Sequence, residues 1–336
     1  MKILVIGCGL SGSVVSRELA NNGHNIEVID IRDHVGGNIY DYVNDKGIRI
    51  HKYGPHIFHT NNKKVIDYVK IYSQWIEYKH KVKCQLDDGR LLTIPINKET
   101  SEIVGKQNLI DIFYRPYSEK MWGCKLEEID KSVINRVKIR DDSNEFYFPE
   151  DKFQGLPRDG YTKFIMNILD HKNINIKLNR KYTDDLLNKY DHIFSSMSID
   201  QFYKYKYGKL DYRSIKFHHL DFPCVKLFPV SNINFTNTGP FTRLTEWKNF
   251  PNHGNSKVWT SITYEEPLDF KDNHFERYYP VKDIKGINKI LFDKYNKIRN
   301  KKVTFIGRLG TYSYLDMDQC ISSSLHISKY FIKKSL

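Results

Sequence analysis

Gly7, Gly9 and Gly12 are spaced as GxGxxG, Asp30 follows about twenty residues later, and Gly36-Gly37 come shortly after it. The first glycine allows a tight turn, the second a close approach of backbone to a diphosphate, and the third close packing of helix on strand. A carboxylate at the end of the next strand can hold a ribose hydroxyl. GxGxxG alone is weak evidence, but here its surroundings agree with it. Ile3 to Ile6 is an apolar run that reads as a buried parallel strand. A helix from Ser11 to about Asn21 points its N–H groups at the diphosphate. Ile26 to Asp30 is the second strand, so strand, glycines, helix, strand and acid stand in register.

The Gly36-Gly37-Asn38 extension is seen in many FAD proteins and less often in NAD proteins. Its backbone can pass close to the cofactor. His51, His56 and His59 follow in HKYGPHIFHT. Three imidazoles suggest a metal, but no carboxylate or cysteine sits among them, and Gly54-Pro55 prevents them sharing a helical face. A cofactor-facing loop without metal is the expectation. Cys8, Cys84, Cys124, Cys224 and Cys320 show no CxxC spacing, and their odd number argues against a disulfide framework.

The net charge is +13, from 53 basic and 40 acidic residues, which suits an anionic partner. The lysines are scattered, so nucleic acid is not the favoured partner. The 23 tyrosines and 19 phenylalanines suit stacked bases or a sugar-nucleotide cleft. No apolar run approaches the roughly 20 residues of a membrane span. The chain enters its first strand at once, so no signal peptide is expected. A cytoplasmic enzyme without a membrane span is expected.

The elements that must position these residues follow from periodicity and turn residues. Asn62 to Tyr78 reads as a helix with Val65, Ile66, Val69 and Tyr72 on one face. Lys81 to Ile96 alternates around Asp87-Asp88-Gly89 as a hairpin. Ser101 to Trp122 is mostly helical, Glu127 to Arg136 is a short helix, and Phe146 to Pro149 is extended. Gly155 to Tyr161 reads as a loop before a helix at Thr162 to Leu169 and a strand at Ile174 to Leu178. A short helix at Asp184 to Tyr190 precedes a strand at His192 to Ser195. Lys216 to Thr263 is strand-rich. Ile287 to Lys297 is helical, Val303 to Ile306 a strand running into Gly307, and Asp318 to Ile332 a last helix. The chain therefore returns to its first domain at the end.

Seven stretches together resemble UDP-galactopyranose mutase, a flavoenzyme family that interconverts pyranose and furanose forms of a nucleotide sugar. They are HKYGPHIFHTN (His51 to Asn61), YSEKMWG (Tyr117 to Gly123), GLPRDGYTK (Gly155 to Lys163), DYRSIKF (Asp211 to Phe217), NINFTN with PFTR (Asn232 to Arg243), YYPV (Tyr278 to Val281) and GRLGTYSYLDMDQCI (Gly307 to Ile321). They fall in the family's order over nearly the whole chain. The resemblance implies an α/β protein with a discontinuous Rossmann-like FAD-binding domain, expected at 1–75, 152–205 and 300–336. A small helical domain carrying a mobile Trp loop is expected at 97–137, and a twisted antiparallel sheet domain at 80–96, 138–151 and 206–299.

It also implies covalent catalysis without net redox change. Reduced FAD, kept reduced by an external reductant such as NAD(P)H, forms an N5–sugar adduct as the nucleoside diphosphate leaves. By position in the motifs, Arg136 and Arg243 match the arginines that grip the diphosphate, with a bidentate geometry open only to arginine. Tyr117, Tyr147, Tyr279 and Tyr314 match tyrosines that reach the phosphates, and Trp122 the tryptophan that closes over the substrate. Phe113 is placed to stack on the base, Asn234 on the substrate side, and Asp316 beside the sugar or diphosphate. His56 matches the histidine near flavin N5. Gly7, Gly9, Ser11, Gly12, Asp30, Gly36, Gly37, Asn38, His56, Arg308 and Met317 form the expected cofactor set. Arg140 matches a further family arginine.

The chain departs from the family's pattern in three places. The stretch between Ile96 and Tyr117 is short, which leaves base recognition and an expected homodimer open. Phe241 lacks the hydroxyl usual in that loop, and Leu315 stands where a second aromatic is common. If both lie near the sugar, a deoxy- or N-acetyl-sugar, or thymidine in place of uridine, becomes open. A FAD oxidoreductase of the amine-oxidase or desaturase kind shares the opening and the returning strand, but does not need the arginine and tyrosine set. A basic nucleic-acid-binding module is the reading from another class.

Overall fold

The computed structural model describes residues 1–129 and 139–335. A five-stranded parallel sheet has the order 174–177, 25–29, 2–6, 192–195, 303–305. Lys2–Ile6 is central, and its apolar residues alternate between two cores. Ile3 and Val5 pack with Val14, Val15, Leu19, Phe164 and Ile165, which cover one face. Leu4 and Ile6 pack with Ile193, Phe202, Tyr295 and Phe305 on the other. Each fully buried aliphatic side chain contributes about 1.5–3 kcal/mol, so this strand anchors both layers. The sequence order reverses on either side of Lys2–Ile6, which puts a ligand crevice at the carboxyl ends of strands 2–6 and 192–195.

The second sheet has seven strands, ordered 279–280, 212–222, 260–269, 243–246, 232–235, 82–85, 91–94. The expected hairpin is present: Val82–Gln85 pairs with Leu91–Ile94, and Gly89 takes a left-handed φ of 86° in the turn. The sheet is not wholly antiparallel as expected. Asn232–Phe235 runs parallel to Val82–Gln85, because the hairpin docks on the edge of a sheet whose other strands begin only at Tyr212.

Other elements differ from the sequence reading. The helix expected to reach Tyr78 stops at Tyr72, and Trp75–Glu77 is a strand. The apolar period continues through Trp75 and so hides the break. The expected loop from Gly155 is in part a strand, Phe153–Pro157, which pairs with both Phe58–Thr60 and Trp75–Glu77. Gly155 allows this, since a Cβ there would meet the Ile76 carbonyl at 2.5 Å. Between Lys98 and Trp122 lie α-helical segments 98–104 and 115–122, joined by a 3₁₀ turn and a π turn. Leu126–Glu128 is a 3₁₀ turn and Ile129 is extended, bridging to Asp283; the remainder of the helix expected at Glu127 to Arg136 lies outside the described residues. Asp184–Asn188 is also 3₁₀.

Candidate active site

The glycine loop is shaped as its spacing predicts. Gly7 takes a left-handed φ of 99°, and a Cβ on Gly12 would lie 2.0 Å from the Gly7 carbonyl oxygen. Turn and helix are thus packed backbone to backbone. Gly9 and Gly36 form an isolated parallel bridge, and a Cβ on Gly37 would come within 2.9 Å of the Gly9 Cα. The glycine pair after Asp30 therefore lies directly on the first loop. Asp30 ends its strand and accepts from the amides of Cys8 at 2.7 Å and Arg32 at 2.9 Å. It closes the loop itself, leaving only its remaining lone pairs for a ribose hydroxyl. Asn38 accepts from Arg32 at 2.9 Å, and Arg32 in turn pairs with Glu276. Ser11 lies against Gly307, where a Cβ would meet its hydroxyl at 3.1 Å.

A cavity of about 220 Å³ is lined by Arg308, the residue after the Gly307 that Ser11 packs against. One wall is a single rank of the seven-stranded sheet. Phe217, Glu265, Arg243, Asn234, Cys84 and Leu92 are directly paired across six strands, so their side chains share one face. Gly54 caps the rank, since a Cβ there would meet Phe217 at 3.0 Å and Glu265 at 3.2 Å. Arg243 and Asn234 line the cavity, and Glu265 lies buried beside Arg243, Oε1 to guanidinium nitrogen 3.6 Å. Burial pushes the Glu265 carboxyl up, against the pull of Arg243. Burial likewise works against the Arg243 charge, but Glu265 and the neighbouring tyrosines hold its pKa above the usual value. Arg243 also donates to the Tyr117 hydroxyl at 3.3 Å.

The opposite wall carries Arg308, whose guanidinium lies over the rings of Tyr279 and Tyr314 at 5.1 and 4.8 Å. Those two rings stack with centroids 5.4 Å apart. Arg308 also donates to the carbonyls of Tyr278 and Leu315, which fixes the turn before the helix Met317–Ser335. Asp316 and Met317 bring that helix's N-terminus to the cavity. A smaller apolar cavity of about 80 Å³ adjoins the first, with Tyr147 and Asn234 common to both. Phe113, Tyr117, Cys84 and Thr236 line it.

Three imidazoles face the main cavity: His56, His59 and His80. Burial, with Arg308 and Arg243 adding to it, lowers His56 to about 4. Its Nδ1 lies 2.8 Å from the Gly54 carbonyl, so Nδ1 carries the proton and Nε2 is the acceptor. Burial and Arg243 lower His80 to about 3. Among the described residues no cluster of three His, Cys, Asp or Glu side chains could hold a metal.

Of the residues expected from sequence, Arg243, His56, Tyr147, Asn234, Tyr279, Tyr314, Asp316, Arg308 and Met317 line the main cavity, and Phe113 and Tyr117 the second. Arg136 lies outside the described residues. Trp122 lines neither cavity; it ends the helix Arg115–Trp122, whose last carbonyls are held by Arg213. Arg140 lies off both cavities and donates to the carbonyls of Asn144 and Phe146. Phe241 packs on Tyr264 and His218, and Leu315 contributes its carbonyl to Arg308. Neither side chain lines the cavity, so they carry no argument for a different sugar. Sequence reasoning missed His80, Glu265 and Asn232. His80 had a signal: it shares parity with Val82 and Cys84, both of which line a cavity.

The family model for UDP-galactopyranose mutase matches residues 112–314, and that for NAD(P)-binding Rossmann-like domains matches residues 5–72. A probable UDP-galactopyranose mutase of Klebsiella pneumoniae is 33% identical over 98% of this chain and 94% of its own length. The chain belongs to the UDP-galactopyranose mutase family. A dTDP-fucopyranose mutase of Escherichia coli is 34% identical over 99% of both chains. Among solved structures, that of a reduced UDP-galactopyranose mutase superposes with a TM-score of 0.78 at 16% identity, covering 99% of this chain and 95% of the other. That last match shows that the fold is the mutase fold.

Proposed function

We propose that this member of the UDP-galactopyranose mutase family interconverts the pyranose and furanose forms of a nucleoside-diphosphate sugar, using reduced FAD without net redox change. The observation that carries this reading is the sheet rank that sets Arg243 and Asn234 between an apolar cavity lined by Phe113 and the cavity lined by His56 and Arg308. A nucleobase fits the first, a sugar the second, and Arg243 takes the diphosphate between them. The mutases named for UDP-galactose and dTDP-fucose match over nearly the whole chain, so the substrate is UDP-galactose or a related UDP- or dTDP-sugar.

The residues fit a flavin dinucleotide. The Gly9–Gly37 contact leaves backbone alone along the diphosphate path, and the helix Leu10–Asn21 presents its N-terminus there. Asp30 stands at the ribose end, with Arg308 and the N-terminus of Met317–Ser335 at the ring end. Reduced flavin, when bound, supplies a nucleophilic N5 toward the anomeric carbon. The protein's part is to hold and orient. Arg243, with Tyr117 on its guanidinium, stabilises the charge that develops on the leaving diphosphate. Neutral His56 offers Nε2 as an acceptor at the cavity wall. The packed cores cross the boundaries of the domain division given by the motifs: Trp247 and Phe250 share the core of Ile3 and Val5, and Leu109 and Phe113 that of Cys84 and Leu92.

The test is to reduce the FAD-loaded enzyme anaerobically with dithionite, incubate it with UDP-galactopyranose, dTDP-fucopyranose and related sugars, and read ring size by NMR. Furanose is expected from at least one of them, and only in the reduced state. An enzyme that changes no ring and instead consumes oxygen with an amine is an oxidoreductase.

A further inference from the structure

His59 and Asp151 have no part in the chemistry described above. His59 Nδ1 lies 2.6 Å from Asp151 Oδ2, across a separation of 92 residues. Both partners of this contact are held in place. The His59 ring stacks on Phe148 with centroids 3.6 Å apart and planes 13° apart. The second oxygen of Asp151 accepts from Asn61 at 2.8 Å, and Asn61 also accepts from the Lys152 amide at 2.9 Å. Both His59 and Phe148 line the main cavity. With Nδ1 turned to a carboxylate, Nδ1 carries a proton and Nε2 is the atom that exchanges one. Nε2 has no hydrogen-bond partner among the described residues.

Exchange between a hexopyranose and a hexofuranose needs such a group. The C1–O5 bond breaks, its electron pair leaves with O5, and O5 gains a proton. A lone pair on O4 forms the C1–O4 bond, and O4 loses a proton. The diphosphate-binding arginine cannot carry that proton, because guanidinium does not deprotonate in proteins. His56 and His80 are held neutral by burial and cannot give a proton at neutral pH.

We infer that the His59–Asp151 pair is the proton carrier of the ring exchange, a role that rests on the mutase reading above. As imidazolium, His59 gives its Nε2 proton to O5 as the C1–O5 bond opens. It then takes the O4 proton as the C1–O4 bond closes. The imidazole returns to its starting state, and no other acid or base is consumed. Asp151 holds the tautomer and the orientation of the ring. The other charged or titratable groups that line the cavity with His59 are His56, His80, Tyr147, Arg243, Tyr279, Arg308, Tyr314 and Asp316.

The test uses the FAD-loaded enzyme and three readouts. His59→Gln is expected to lower kcat by roughly a hundredfold or more. UDP affinity, by calorimetry, should stay within about threefold of wild type. The fall in kcat with rising pH should vanish in His59→Gln, and Asp151→Asn should lower kcat at unchanged UDP affinity. By ¹⁵N NMR of the neutral ring in the oxidised enzyme, His59 should carry its proton on Nδ1. The role is overturned if His59→Gln keeps turnover within about threefold, if UDP affinity falls in step with turnover, or if the proton sits on Nε2. A wild-type enzyme that changes no ring refutes the mutase reading itself, and this role with it.

Discussion

His51 and His253 meet Nε2 to Nε2 at 3.0 Å, both buried. Their other partners assign the single proton between them. His253 Nδ1 lies 2.8 Å from the Pro251 carbonyl and so carries a proton, which leaves its Nε2 as acceptor. His51 Nδ1 accepts from the His56 amide at 3.1 Å, so His51 Nε2 is the donor. The chain of contacts thus runs from Pro251 to the cavity histidine. Protonating either ring would set two N–H groups head to head. Burial lowers His253 to about 4, and burial, with the repulsion a second charged ring at His253 would add, takes His51 well below its usual range.

This gives a pH dependence of stability. A histidine neutral in the fold and protonated when unfolded makes the unfolded chain bind more protons below its usual pKa of 6.5. Stability is then constant above that value and falls as pH drops from there toward 4. His253→Gln should flatten the dependence by up to one proton, about 1.4 kcal/mol per pH unit. Urea denaturation at a series of pH values checks this. An unchanged slope between wild type and variant would show that the ring does not titrate as its surroundings dictate.

Arg243→Ala should leave the flavin bound and the fold intact while weakening UDP binding by roughly 10- to 100-fold, the value of a charge-assisted hydrogen bond or two. Turnover should fall further, since the charge grows as the diphosphate leaves. Arg243→Lys should recover only part of this, because an ammonium cannot form the bidentate fork. Calorimetry with UDP and the absorbance of the yellow flavin separate the two effects. A variant that loses flavin and UDP together would place Arg243 at the cofactor instead.

Lys120 donates to the carbonyls of Phe235, Asn237 and Phe241, at 3.0, 2.8 and 2.8 Å. It pins the helix Arg115–Trp122 to the loop that leads into Arg243. Lys120→Met keeps the stem and removes the donors, leaving three carbonyls to water or to nothing. A loss of about 1–3 kcal/mol in denaturant unfolding is expected. A raised KM should accompany it, as both the Tyr117 and the Arg243 sides of the nucleotide site loosen. Unchanged KM and stability would mean that the clamp is idle.

What could be read from sequence follows the range of the forces involved. The glycine loop, the 87–89 hairpin and the tyrosines rest on local backbone geometry or on short motifs, and these signals survive in one dimension. Glu265 is invisible there, because its meaning comes from standing opposite Arg243 in the register of the strands 243–246 and 260–269. The His59–Asp151 contact spans a still longer separation. Phe241 and Leu315 show the converse error. Their positions within the motifs suggested the sugar, but a side chain two residues from a site can point the other way, and Phe241 does. The parallel docking of Asn232–Phe235 on Val82–Gln85 is likewise a tertiary choice that strand propensity cannot express.

Gly9 and Gly12 should fail in different ways when replaced by alanine, and the contrast tests how the opening loop works. A Cβ on Gly12 would lie 2.0 Å from the Gly7 carbonyl oxygen, so Gly12→Ala must push the helix off the first strand. A loss of several kcal/mol is expected, at or above the roughly 1–3 kcal/mol typical of overpacking. A Cβ on Gly9 would meet only the Gly37 Cα, at an ordinary 3.6 Å, so the empty fold tolerates Gly9→Ala. The added methyl does occupy the backbone path meant for the diphosphate. That variant should unfold within about 1 kcal/mol of wild type yet purify with little flavin and bind added FAD at least tenfold more weakly. If Gly9→Ala holds FAD as wild type does, the diphosphate does not pass over this loop, and the cofactor assignment of Gly36 and Gly37 falls with it.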